Sequence, residues 1–234
     1  MRAGSICILF FILLIPSIGK AENSTGIGYV AKSNRQIKSF TFSHREEVKG
    51  KISEFHNVYT AMDGKEAVKE DVFYENDIFQ RMLFTQGQLG DTGSIEVRGD
   101  QVFFEYKHNG KTKKSSEKFT NNFATGPSLL PYVKKHWNEI LEGKTVEIRM
   151  GIVDRCETIG FKIFKDKERI VNGKEHVILK MKPTSIVIAA IVEPLFFVVD
   201  KKEVRLDELM GRVVVKSFES GSWKDVDGEV VYTY

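Results

Sequence analysis

Apolar and polar residues alternate with a period of two along most of this chain. Val146, Ile148, Met150 and Ile152 are set against Glu147 and Arg149, Ile159, Phe161 and Ile163 against Lys162, and Val177, Leu179 and Met181 against His176 and Lys180. Such alternation suits half-buried antiparallel strands. It predicts a first meander over residues 36–48, 51–60, 66–74, 80–86, 92–98, 101–107 and 111–117. A second is predicted over 145–153, 157–165, 174–182, 195–200 and 203–218, with a last strand over 229–234. Asp63-Gly64, Asn109-Gly110 and Asn172-Gly173 fit two-residue hairpins, because asparagine and glycine accept positive φ at little cost. Residues 22–33 are small, polar and without periodicity, and are expected to lead loosely into the fold.

Between residues 118 and 143 the period lengthens to about 3.6. Leu130, Val133, Trp137, Ile140 and Leu141 line one face of a helix over 129–141, with Ser128 placed to cap it, Pro131 in its first turn and Gly143 where it stops. Residues 121–127 are read as a loop, and loop plus helix as a lid carried by Leu130, Val133 and Trp137. The stretch from Thr184 to Val199 is apolar on all sides, broken by Glu193-Pro194. Two readings fit it: a short buried helix followed by a central strand, or a plug that lines a cavity or touches a membrane.

One long amphipathic helix cannot cover the apolar face of so many strands. The sheet must therefore curl around its own interior, which hides its edges as well. The expected fold is mainly β: a single curved antiparallel sheet forming a half-barrel or barrel over residues 22–234, with one amphipathic lid helix and a short apolar plug helix.

Composition narrows the destination. Arg2, the apolar run Ile6 to Ile15 and the small residues that follow Pro16 read as a secretory signal over residues 1–21. Its ten apolar residues are too few for a membrane span, which needs roughly 20. Without Arg2 and Lys20, 33 basic residues face 32 acidic ones, a balance that argues against a nucleic-acid partner. Of the two cysteines only Cys156 survives removal of the signal, so a core rather than a disulfide must hold the fold, and Cys156 reads as a small buried residue. Arg98-Gly99-Asp100 reads as a hairpin turn.

Catalytic chemistry finds little to stand on. His44, His56, His108, His136 and His176 show no metal-ligand spacing, and neither a nucleophile elbow nor a phosphate-cradling glycine loop is present. The best titratable clusters are His136 beside Trp137 and the run Asp154-Arg155-Cys156-Glu157. An envelope hydrolase would require His136, Asp154 and Glu157 to converge. No cofactor is implied.

The 17 phenylalanines weigh the interior toward aromatic rings. In a curled sheet, inward side chains either fill the interior or line a cavity suited to acyl chains. The expected lining is Phe104, Ile148, Met150, Phe161, Ile163, Leu179, Ile188, Ile191 and Phe197, with Arg155, Glu193 and Arg212 as rim charges and Glu193 paired to one of the two arginines.

Gly126-Pro127-Ser128-Leu129, His136-Trp137, Asp154-Arg155, Lys182-Pro183-Thr184-Ser185, Glu193-Pro194-Leu195 and Gly211-Arg212 resemble motifs of an uncharacterised family of exported bacterial proteins with a domain of unknown function. That family is similar in architecture to the LolA-like half-barrels that carry lipoproteins. The resemblance implies a periplasmic location, with secretion as the runner-up, and a lipid or acyl chain as ligand. It carries no catalytic residues to this chain. The leading expectation is a non-catalytic binding protein for an apolar ligand. The alternatives are a solid-cored scaffold that binds an envelope protein through its outer surface, and the hydrolase.

Overall fold

The computed structural model describes residues 23–171, 173–190 and 192–234. The signal reading of residues 1–21 and the lining role given to Ile191 lie outside the described residues.

Among the described residues fifteen strands form one sheet. The first meander is β1 (Ser24–Val30), β2 (Lys38–Lys49), β3 (Ile52–Ala61), β4 (Glu66–Glu75), β5 (Ile78–Gln86), β6 (Asp91–Arg98), β7 (Gln101–His108) and β8 (Lys111–Lys118). The chain then crosses through β9 (Phe123–Ala124) and the short helices α1 (Leu129–Lys135) and α2 (Trp137–Leu141). It returns as β10 (Val146–Ile152), β11 (Glu157–Val171), β12 (Lys174–Pro183), α3 (Ile186–Ala189), β13 (Leu195–Asp200), β14 (Arg205–Glu219) and β15 (Ser222–Thr233). β15 pairs with β1, so the spatial order runs from β8 to β1 and then from β15 to β9. All neighbours are antiparallel except β9 and β10. The curved antiparallel half-barrel expected from the alternation is the fold observed. Gly99 and Asp100 form the two-residue turn between paired Arg98 and Gln101, with Gly99 at φ +63°.

The two end regions of the sheet meet through side chains rather than a backbone ladder. Glu117 on β8 accepts from the Thr158 N–H on β11 at 3.0 Å and from the Thr158 hydroxyl. Lys113 Nζ donates to the Arg155 carbonyl at 2.6 Å, and the Ser115 hydroxyl donates to the Cys156 carbonyl. At Gly93 on β6 a Cβ would stand 2.6 Å from the Val153 side chain, so only glycine lets the halves approach this closely.

Four sequence expectations need correction. Residues 22–33 are not a loose lead: β1 sits in mid-sheet between β2 and β15. Its alternation is hidden because Gly28 replaces an inward side chain, and a Cβ there would lie 2.3 Å from the Phe40 ring. The lid helix breaks at His136 (φ −105°, ψ 15°), and Ser128 makes no side-chain cap bond because its hydroxyl turns back to Thr125. The segment 121–127 is not wholly loop, since Phe123 and Ala124 pair with Arg149 and Met150. The apolar helix at Thr184 to Val192 is not surrounded: α3 buries none of its residues, and Ile186 and Val187 are 87% and 76% exposed.

Two apolar clusters occupy the concave face. The first joins β2 to β7 with Phe123, Val153, Val215 and Val230, and centres on Phe40, Phe55, Val72, Met82 and Phe104. The second packs Leu129, Val133, Trp137 and Ile140 of the helices onto β10 to β13. Leu209 on β14 touches both.

Candidate functional site

A cavity of about 920 Å³ lies along the concave face and draws its walls from both clusters. Ligand cavities commonly measure roughly 300–1,000 Å³. Phe40, Phe42, Phe55 and Phe84 line it from the first meander, and Met150, Phe161, Leu179, Met181 and Phe197 line it from the second. Leu130 and Val133 of α1 and Val187 and Ile188 of α3 face the same space.

The structure divides the residues singled out in the sequence. Met150, Phe161, Leu179, Ile188 and Phe197 reach the cavity, as do Leu130, Val133, Arg155 and Arg212. Phe104, Ile148 and Ile163 do not: at 2%, 1% and 0% exposure they are spent on packing inside the clusters. Trp137 is likewise buried against the second meander, away from the cavity. Glu193 is exposed and pairs with neither arginine. Arg155 pairs with Glu157 at 2.5 Å, and Arg212 pairs with Asp227 at 2.8 Å and Asp225 at 3.7 Å.

Sequence reasoning passed over a polar row across the first meander. Strand register places Glu70 on β4 opposite Asn57 on β3, Asn57 opposite His44 on β2, and His44 opposite Ser24 on β1. All four line the cavity. Asn57 Oδ1 and His44 Nδ1 are 2.7 Å apart, while Asn57 Nδ2 and the Tyr59 hydroxyl donate to Glu70 Oε2 at 3.3 and 3.4 Å. Burial, which disfavours the charged form, pushes the Glu70 carboxyl up to about 7 against these two weak donors. The same burial raises Tyr59 well above the usual phenol range. The signal was present in the sequence: Glu70 stands between Val68 and Val72, and Asn57 between Phe55 and Tyr59, each in the apolar phase of its strand.

Other titratable clusters are accounted for structurally. His136 bonds Glu139 at 3.0 Å and Glu157 bonds Arg155, so the convergence a hydrolase needs with Asp154 is not formed by these contacts. His176, Asp200 and Asp207 bring ligand-type atoms within 4.8 Å of one another. Asp200 already accepts the Lys202 and Glu203 N–H groups at 2.9 and 2.8 Å, and Asp207 takes His176 at 2.8 Å and Arg205 at 3.3 Å. These bonds tie β12 to β14 and brace the β13–β14 turn. Cys156 is buried, its thiol pushed up by desolvation, which suits packing rather than nucleophilic attack. Among the described residues no helix is long and apolar enough to cross a membrane.

Fold and cavity together define an open half-barrel with an internal chamber. The chain is similar in structure to a β-barrel-like protein of domain of unknown function DUF1849 from Brucella abortus (TM-score 0.48, 8% identity, covering 91% of this chain and 94% of that one). It is also similar to a putative outer membrane lipoprotein-sorting protein domain from Vibrio parahaemolyticus (TM-score 0.29, 9% identity, 92% and 83% covered). A third likeness is to a porin-like protein from Bacteroides uniformis (TM-score 0.24, 8% identity, 90% and 96% covered). No protein-family profile and no curated protein matches the sequence. None of these likenesses gives the chain a ligand.

Proposed function

We propose that this protein is a non-catalytic periplasmic binding protein that encloses an apolar ligand, a lipid or acyl chain, inside its curled sheet. The cavity of about 920 Å³ with aromatic and aliphatic walls carries this reading. Burial of a hydrocarbon chain there supplies roughly 25 cal/mol for each Å² removed from water, so no chemical step is needed to hold it. α1 closes one wall through Leu130 and Val133, and the α3 segment stands beside the cavity as plug through Val187 and Ile188.

The test is to express the chain from residue 22 in a bacterial periplasm, purify it without detergent, and combine native mass spectrometry with lipid extraction. A stoichiometric lipid is the expected result. An empty, stable protein that takes up no fatty ligand on titration overturns the reading and leaves the scaffold.

A further inference from the structure

The charges around the cavity are not equivalent. Arg155, Arg212 and Lys216 line it, with Lys134 of α1, and the first three are neutralised within the sheet: Arg155 by Glu157, Arg212 by Asp225 and Asp227, and Lys216 by Asp225. Glu70 is 4% exposed and among the described residues meets no cation; its contacts are Asn57 and Tyr59. Both of those bonds converge on Oε2, so neither occupies Oε1, and Glu70 lines the cavity. The other buried carboxylates are better held. Asp91 takes His108 at 2.7 Å and Tyr106 at 2.6 Å on Oδ2 and lies outside the cavity although its Oδ1 is left without a partner, and Asp200 takes two backbone N–H groups.

A buried carboxylate without a counter-ion is costly, and an otherwise aromatic face has no packing use for it. The Tyr74 hydroxyl, four residues along the same strand face, is also buried and lines the cavity, beside the Ser128 hydroxyl. The nearby Ser128 hydroxyl is committed to Thr125.

We infer that the cavity selects an amphiphile whose head is a cationic amine, with the ammonium seated on Glu70 Oε1 and the hydrocarbon tail extending over Phe161, Leu179 and Phe197. An ammonium offers three N–H donors, enough to reach Glu70 and a second acceptor of the polar row at once. The groups around that head are Asn57 and Tyr59 from β3, His44 from β2 and Tyr232 from β15, with the apolar Phe84 on the β5 side. An anionic head would meet the Glu70 carboxylate and be repelled by it.

This inference rests on the container reading, and one titration series separates the two. Decylamine, decanol and decanoic acid share a chain length and differ in the head, so calorimetric titration of each into the delipidated protein at pH 8 isolates the head's contribution. The expected result is that all bind measurably, decylamine about tenfold or more tighter than decanol, and that Glu70→Gln brings the amine and alcohol affinities to within about twofold of each other. Glu70→Gln keeps the side chain's shape, and its folding is checked by thermal unfolding. Binding of all three without preference, or a preference that survives Glu70→Gln, overturns this inference alone. No binding of any probe overturns the container reading and this inference with it.

Discussion

The Gln88 side chain pairs with the Lys216 backbone as a neighbouring strand would, donating from Nε2 to the carbonyl at 2.8 Å and accepting at Oε1 from the N–H at 2.9 Å. Gln88 lies in the turn between β5 and β6. Lys216 is where β14 resumes pairing with β15 after an irregularity that begins at Arg212. One side chain thus satisfies backbone groups that the ladder leaves open and ties together segments 128 residues apart.

Gln88→Ala removes both bonds and leaves the Lys216 N–H and carbonyl to find water. The expected loss is about 1–3 kcal/mol by urea unfolding, with faster amide exchange at Val215 and Lys216. A loss within error of zero would mean that water replaces the glutamine without cost.

Glu70 sets a pH dependence whose sign is opposite to that of an ordinary salt-bridged carboxylate. Its pKa rises from 4.5 in the unfolded chain to about 7 in the fold, so its contribution to stability is fully present below about pH 4.5 and is lost as pH rises to 7. At 1.36 kcal/mol per pKa unit the loss is on the order of 3 kcal/mol. Glu70→Gln should flatten this part of the profile, making the variant the more stable protein at pH 8 and near-equal to the parent at pH 4.5. Parallel profiles for the two proteins would show that Glu70 does not hold a raised pKa.

The alternation made the strands and the curl legible because period two survives wherever inward positions carry Val, Ile, Leu or Phe. It failed at β1, where two inward or crowded positions are Gly26 and Gly28 and nothing apolar marks the phase. It fails differently at α3, where apolarity implies burial although Ile186 and Val187 are exposed. The apolar wall was partly legible: Met150, Phe161, Leu179 and Phe197 line the cavity, but inward phase alone does not separate them from Ile148 and Ile163, which pack solid. The polar row needed strand register, which brings Glu70, Asn57 and His44 side by side from three strands.

Gly28 gives the register a direct test. A Cβ at this position would fall 2.3 Å from the Phe40 ring, and Phe40 is 1% exposed, so the ring has nowhere to retreat. Gly28→Ala is expected to cost about 2–3 kcal/mol by overpacking. In a double-mutant cycle with Phe40→Ala, the alanine at 28 should cost at least about 1 kcal/mol less, since the clash has gone. Simple additivity would place residue 28 away from the ring.

The α3 segment separates surface from interior. Ile186 and Val187 are exposed, and the turn is fixed by the Ser185 hydroxyl accepting from the Ile188 N–H at 3.4 Å rather than by burial. Replacing both with serine removes apolar surface already in water, so stability should change by no more than about 0.5 kcal/mol. Phe161, by contrast, is 7% exposed within the second cluster, and Phe161→Asp places a carboxylate where desolvation costs several kcal/mol. Urea unfolding of the two variants side by side checks the assignment, and stopped-flow release of a bound fluorescent fatty ligand measures the function. The serine pair, which alters Val187 at the cavity wall, should release the ligand several-fold faster from a fully folded protein, because the plug loses apolar contact with the bound chain. If the serine pair unfolds as readily as Phe161→Asp, α3 belongs to the core; if it folds and releases at the parental rate, α3 is no plug.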